Sequence, residues 1–210
     1  MKKLLALLLA FLLPLSAMAE WNDENNIVVQ LHGVSFFFTP IEGLCVTRMT
    51  SPMMLRRNGI DADGMQAWMQ ENDVYAIMTD VEESCQFVIQ ASPAWEDATD
   101  LDDLTEYGEM AECEYLASDM EEYGYQVAEI EMYTVPGGHK FIWALATYTL
   151  EDGSEQQFAQ YLTRRGGYNI IIEVLPLDGV LTQEQLALGD SLADSMWIMK
   201  DAVSLDATEN

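Results

Sequence analysis

Hydrophobic and polar positions change period several times along the chain, and each change marks an element. Ile27 to Leu31 and Val34 to Phe38 are β-rich runs separated by His32-Gly33. In the second run Val34, Phe36 and Phe38 alternate with Ser35 and Phe37, which predicts a strand with at least one buried face. Pro40 ends the run, and Gly43 opens a short strand from Leu44 to Arg48. The spacing then shifts to three and four at Met65, Trp68 and Met69, the apolar face of a short helix that Asp61 or Asp63 can cap. Val74 to Thr79 and Cys85 to Ala91 read as a hairpin with Glu82-Glu83-Ser84 in its turn. In its second arm Cys85, Phe87, Ile89 and Ala91 alternate with Gln86, Val88 and Gln90.

A long acidic helix is predicted from Asp100 to about Tyr123. Asp100 can cap it, with Asp102 and Asp103 in the first turn, where the dipole favours negative charge. Leu101, Leu104, Ala111 and Tyr115 form one apolar stripe, extended by Met110, Cys113, Ala117 and Met120, and Gly124 is the stop. A four-strand meander follows: Gln126–Thr134, His139–Leu150, Gln156–Arg164 and Tyr168–Leu175. Its turns, Pro136-Gly137-Gly138, Glu151-Asp152-Gly153-Ser154 and Arg165-Gly166-Gly167, carry the glycine that tight hairpins require. Phe141 to Ala146 is apolar at every position, as in a strand covered on both faces. Thr182 opens the last helix. It forms a capping box with Gln185, Leu181 can staple onto Leu186, and Leu188, Leu192, Met196 and Met199 line one face.

Helices set among hairpins predict an α+β fold, an antiparallel sheet of about six to eight strands flanked by helices. Residues 27–200 read as one domain, preceded by a polar leader, 20–26, and followed by an acidic, frayed tail, 201–210. Residues 1–19 have the form of a secretory signal peptide. Lys2 and Lys3 are the basic region, Leu4 to Leu13 the apolar region, and Ala17-Met18-Ala19 a cleavage site before Glu20. The apolar run is too short for a good membrane-spanning helix. The expected product is a secreted protein without stable membrane insertion.

Charge narrows the partners. The chain carries 9 Lys and Arg against 36 Asp and Glu, a net charge of −27. Such a surface repels nucleic acid and anionic lipid, and favours cations or basic partners. Three cysteines, Cys45, Cys85 and Cys113, leave room for one internal disulfide at most and read as small apolar core residues.

Candidate chemistry is sparse. The only histidines are His32 and His139, both read as surface residues at strand ends, and no nucleophile elbow, HExxH or phosphate-binding loop is present. No catalytic, cofactor-binding or metal-ligating residue is assigned, no cofactor is expected, and the protein reads as no enzyme. Asp100, Asp102 and Asp103 are the densest carboxylate cluster that could serve calcium, with Asp61-Ala62-Asp63-Gly64 a second. The latter departs from an EF-hand loop, with Gly64 fourth instead of sixth and Asn72 twelfth. Helix capping is the favoured reading of both clusters. The arginine pairs Arg56-Arg57 and Arg164-Arg165 read either as internal charge balance or as partner anchors. Neighbours on a strand point to opposite faces, so one arginine of the second pair can meet the acidic helix.

The long acidic helix is followed by GYQVAEIEMY, GGHKFIWALATYTLEDGSEQQFAQYLTRRGGYNIIIEVL and LTQEQLALGDSLADSMWI, and GVSFFFTPIEG lies near the start. This order of elements and turns resembles the PsbP-like family from about Ile27 to Met199. Leu44 stands where many members have Trp. The family is named for an extrinsic subunit of the oxygen-evolving photosystem, and similar proteins include a Ran-binding transport factor and secreted or lipid-anchored bacterial proteins. The resemblance implies a helix-flanked antiparallel sheet sandwich and a non-catalytic binding or assembly role. The expected function is therefore a binding module of the bacterial envelope or extracellular space, with a protein or envelope component as partner. Alternatives are a protein that binds calcium or a small ligand, and a hydrolase with a carboxylate pair.

Overall fold

In the computed structural model, the described residues are 27–31, 34–39, 41–46, 62–150, 153–177 and 179–200. The meander forms as its glycine turns dictate: β6 (Gln126–Thr134), β7 (Lys140–Thr149), β8 (Glu155–Arg165) and β9 (Tyr168–Pro176) pair antiparallel in succession. The hairpin β4 (Val74–Asp80) and β5 (Cys85–Pro93) joins it through β5 and β9, where Ile89 faces Ile172. A short β3 (Leu44–Val46) completes a seven-stranded sheet of order β3-β4-β5-β9-β8-β7-β6. A second sheet has three strands, β1 (Ile27–Leu31), β2 (Val34–Phe38) and β10 (Met196–Lys200), with β2 in the middle.

The period-two patterns explain the layers. Val34, Phe36 and Phe38 face inward from the small sheet and meet Phe87, Ile89, Ile170, Ile172 and Val174 of the large one. Helix α3 (Gln183–Asp194) adds Leu192 and Ala193 to this core. The capping box forms as expected, with Thr182 accepting from the Gln185 amide and the Gln185 side chain accepting from the Thr182 amide. Leu181 and Leu186 both join the core. The opposite face of the large sheet carries two helices. Helix α2 (Glu106–Glu122) lays Leu116 and Met120 over Ile142, Ala144 and Ala146. Helix α1 (Ala62–Glu71) packs Met69 and Trp68 near Val74, Ile77 and Val88. Phe141 belongs to one core and Ile142 to the other, so β7 is covered on both faces. No described helix is long and apolar enough to cross a membrane.

Several expectations are corrected. The long helix begins at Glu106, not Asp100. Leu101–Asp103 is a single 3-10 turn pinned by the buried Leu101, and Leu104 is extended, which breaks the helix. Thr105 is the cap, accepting from Gly108 N. Gly124 does stop the helix, at φ +88°. Tyr115 and Met110 are exposed, and the buried stripe instead uses Leu116, one position on from Tyr115. The last helix ends at Asp194, and Met196 and Met199 belong to β10. Met196 is buried against Phe38 in the register, and pairing with β2 decides the conformation of an apolar run that suits either element. Residues 1–26, 32–33, 40, 47–61, 151–152, 178 and 201–210 lie outside the described set, and with them the signal peptide, leader and tail, His32, Arg56-Arg57 and the side chains of Asp61 and Asp63.

Candidate functional site

Three places could do chemistry or binding. The first is a charged cluster where the 3-10 turn and the start of α2 meet β7 and β8. Asp100 and Asp102, read as calcium candidates, are both taken by protein donors. Asp100 Oδ1 accepts from Gly166 N at 2.9 Å, tying the turn to the β8–β9 hairpin. Asp102 Oδ1 accepts from Lys140 N at 2.8 Å, and its Oδ2 pairs with Arg165 Nη2 at 2.6 Å. His139 is no free surface residue. Its Nδ1 lies 3.2 Å from Asp102 Oδ2 and 2.5 Å from Arg165 Nη1. A guanidinium only donates, so His139 Nδ1 can engage Arg165 only as an acceptor. Arg165 thus clamps a carboxylate and an imidazole together, while its own Nε is buried without a partner.

The acidic helix does meet the other arginine of the pair. Arg164 is 2% exposed and binds Glu112 with both terminal nitrogens, at 3.0 and 2.9 Å. It also donates to Thr99 O and Asn169 Oδ1, and its guanidinium lies 3.7 Å from the centre of the Trp95 ring. Lys140 Nζ reaches Glu109 Oε1 at 2.7 Å and Leu104 O. Lys140, Arg164 and Arg165 each face an acid of the same chain, so the cluster fastens α2 and the 3-10 turn to the sheet. Among the described residues no group of three His, Cys, Asp or Glu is arranged to hold a metal ion.

The second place is Glu173 on β9, which points from the large sheet toward the layer of α1 and α2. Gln160 stands opposite it on β8 and Val88 on β5. Gln160 is 2% exposed. Glu173 is half-buried by area, and desolvation alone lifts its carboxyl from 4.5 to about 7, with neither a hydrogen bond nor a neighbouring charge offsetting the rise. Its charge in turn adds to the burial that pushes the hydroxyls of Tyr125 and Tyr148 up to about 12. Those two rings pack edge-on against each other and against Phe158.

The third place is the outer face of the small sheet. Val28, Phe37 and Trp197 form one row across it, and Gln30, Ser35 and Met199 the next. The Phe37 and Trp197 rings stack with centroids 4.0 Å apart and planes 8° apart. Trp197 is 39% and Met199 48% exposed. All six side chains are uncharged, on a chain whose net charge is −27. The sequence pattern hides this face because Met196 and Met199 also fit the spacing of a helix that continues from Leu188 and Leu192. The alternation of Met196 and Ile198 with Trp197 and Met199 was the available signal.

The cysteines divide by position. Cys85 is buried and its thiol is pushed up to about 12 by burial, with Asp80 adding to the rise. Cys113 is half-buried, whereas Cys45 on β3 is exposed, which corrects its reading as a core residue. All three are free thiols.

No family model matches the chain, and no curated protein matches it. Among solved structures it is similar to cyanobacterial PsbP (CyanoP) from Synechocystis sp. PCC 6803. Identity is 14% over 80% of this chain and 87% of that one, with a TM-score of 0.40. A likeness of that size carries no functional argument.

Proposed function

We propose that this chain is a secreted, non-catalytic binding or assembly module that works outside the cytoplasmic membrane of a bacterium, with a protein or another envelope component as partner. The carrying observation is the uncharged outer face of the small sheet, where Trp197 and Met199 are exposed beside Phe37. Exposed large apolar groups gathered on one face mark interaction surfaces. The test is capture from envelope extracts of the producing bacterium by the mature protein and by Trp197→Asp. A protein retained by the parent and lost by the variant supports the module. Equal retention, or none by either, counts against it.

A second reading, a protein that binds a divalent cation or small ligand, rests on Glu173 and the adjacent buried Gln160. Melting in calcium, magnesium and sodium chloride at matched ionic strength tests it. A saturable rise with one divalent cation supports a site, because a ligand that binds only the folded state stabilises it. Equal rises in all three salts mean screening of the acidic surface.

A further inference from the structure

The small sheet ends in two edge strands, and they are not alike. Among the described residues β10 pairs only with β2, so its outer row of backbone N–H and C=O groups faces no strand. Natural sheets defend such edges with inward or flanking charge, proline, bulges or extreme shortness. The seven-stranded sheet follows that rule at its β6 edge, which carries Glu129 and Glu131 and a register shift between Val127 and Glu129. The β10 sequence Met-Trp-Ile-Met-Lys has no proline and an unbroken register, and its one charge is Lys200 at the end of the strand.

Side-chain exposure distinguishes β10 from β1. On β1 the inward Ile27, Val29 and Leu31 are all buried, and the outward residues are Val28 and Gln30. On β10 the inward Ile198 is still half-buried, and the outward Trp197 and Met199 are exposed. A further strand laid beside β10 would complete the burial of Ile198 and cover the free side of Trp197, whose other face Phe37 already holds. The ring is thereby fixed in place before any partner arrives, which lowers the entropy lost on binding.

Charge selects the partner. Lys140, Arg164 and Arg165 are spent on Glu109, Glu112 and Asp102, so they leave the remaining acids of a chain with net charge −27 unneutralised. An acidic segment approaching β10 is repelled, and a basic one is steered in. We propose that the free edge of β10 receives an extended, basic segment of a partner protein as a fourth strand of the small sheet, with apolar side chains at alternate positions over Trp197 and Met199. This is strand addition, in which main-chain hydrogen bonds supply affinity and alternate side chains supply selectivity. It rests on the binding-module reading and specifies the partner of that face.

The test is calorimetric titration of the mature protein in about 150 mM salt. One probe is an acetylated, amidated peptide of alternating lysine and valine. The other has the same charge, with its central valine replaced by proline, which breaks strand pairing. The expected result is binding of the alternating peptide roughly tenfold tighter than its proline analogue. The Trp197→Ala, Met199→Ala double variant reduces that preference to roughly twofold or less while keeping the circular dichroism spectrum of the folded protein. Both substitutions are at exposed positions, and Met110→Ala on α2 controls for a generic loss of apolar surface. Equal binding of the two peptides, or a preference that survives the double variant, overturns strand addition at β10. Absence of binding by either peptide overturns it as well. The capture experiment stands apart from these outcomes: a partner lost by Trp197→Asp together with equal peptide binding leaves the module and removes the basic strand.

Discussion

Replacing Glu173 with glutamine removes one buried charge and keeps the shape of the side chain. In the folded protein the carboxyl titrates near 7, against 4.5 in the open chain, because burial disfavours the anion. A raised acid binds its proton more tightly in the native state, so stability falls as pH rises through the window between the two values. Below pH 4.5 the group is neutral in both states and costs nothing. Above pH 7 it is ionised in both, and the full penalty remains. The shift corresponds to about 3 kcal/mol, trimmed to about 2 by the partial exposure of the residue. Urea unfolding of parent and variant at a series of pH values from about 4.5 to 8.5 measures it. Glu173→Gln should match the parent at the acid end and exceed it by about 2 kcal/mol above neutrality. Taking the difference cancels the repulsion among the remaining acids. A difference that is flat with pH, or that favours the parent at high pH, would refute the claim that this carboxyl is buried without compensation.

Other consequences are equally direct. Arg164→Ala strands Glu112 and removes the contact with Trp95, and chemical denaturation should show a loss of about 3 kcal/mol, since breaking a buried pair leaves an uncompensated charge. A loss below about 1 kcal/mol would mean that the pair is ornamental. Gly189→Ala would place a Cβ 2.9 Å from Val174 Cγ2 and 3.0 Å from Tyr161 Cε2. The Tyr161 hydroxyl is tied to Asp190 Oδ1 at 2.6 Å, so the ring cannot retreat, and a net destabilisation of about 1 to 2 kcal/mol should appear despite the better helix former. Thr182→Ala should lower the melting midpoint in line with loss of about 1 kcal/mol of capping energy. Thiol titration of the native protein should label Cys45 at once and leave Cys85 unlabelled until denaturant is added, and early labelling of Cys85 would show that β5 is open.

Local rules carried most of the elements. Glycine turns placed the meander, and the capping box placed α3, because both signals act over a few residues. What failed depended on distant partners. Asp100 has the chemistry of a cap, but its carboxylate is claimed by the Gly166 amide, and Thr105 takes the role. Leu188, Leu192, Met196 and Met199 recur at helical spacing, yet β2 offers an open ladder that turns the last two into a strand. The cluster of Asp102, His139 and Arg165 left no trace in the linear pattern. Its members come from a turn, a hairpin end and a strand end that only the sheet order brings together. Glu173 was hidden for the opposite reason. It sits in an alternating strand where a polar residue on the second face looks ordinary until α1 and α2 cover that layer.

The pairing of β2 with β10 has a consequence for how the chain reaches its native state. Phe38 and Met196 are partners in the register, so the small sheet joins nearly the two ends of the described sequence. Closing so long a loop costs little more entropy than closing a moderate one, but the contact forms late because everything between must first be in place. During synthesis the β1–β2 hairpin therefore emerges first and waits with one side of β2 unpaired, while the meander can assemble by local hairpins. That interval is when Phe36 and Phe38 are available to wrong partners. A chain stalled after Asp194 would hold its large sheet and its helices, yet remain sticky at its beginning.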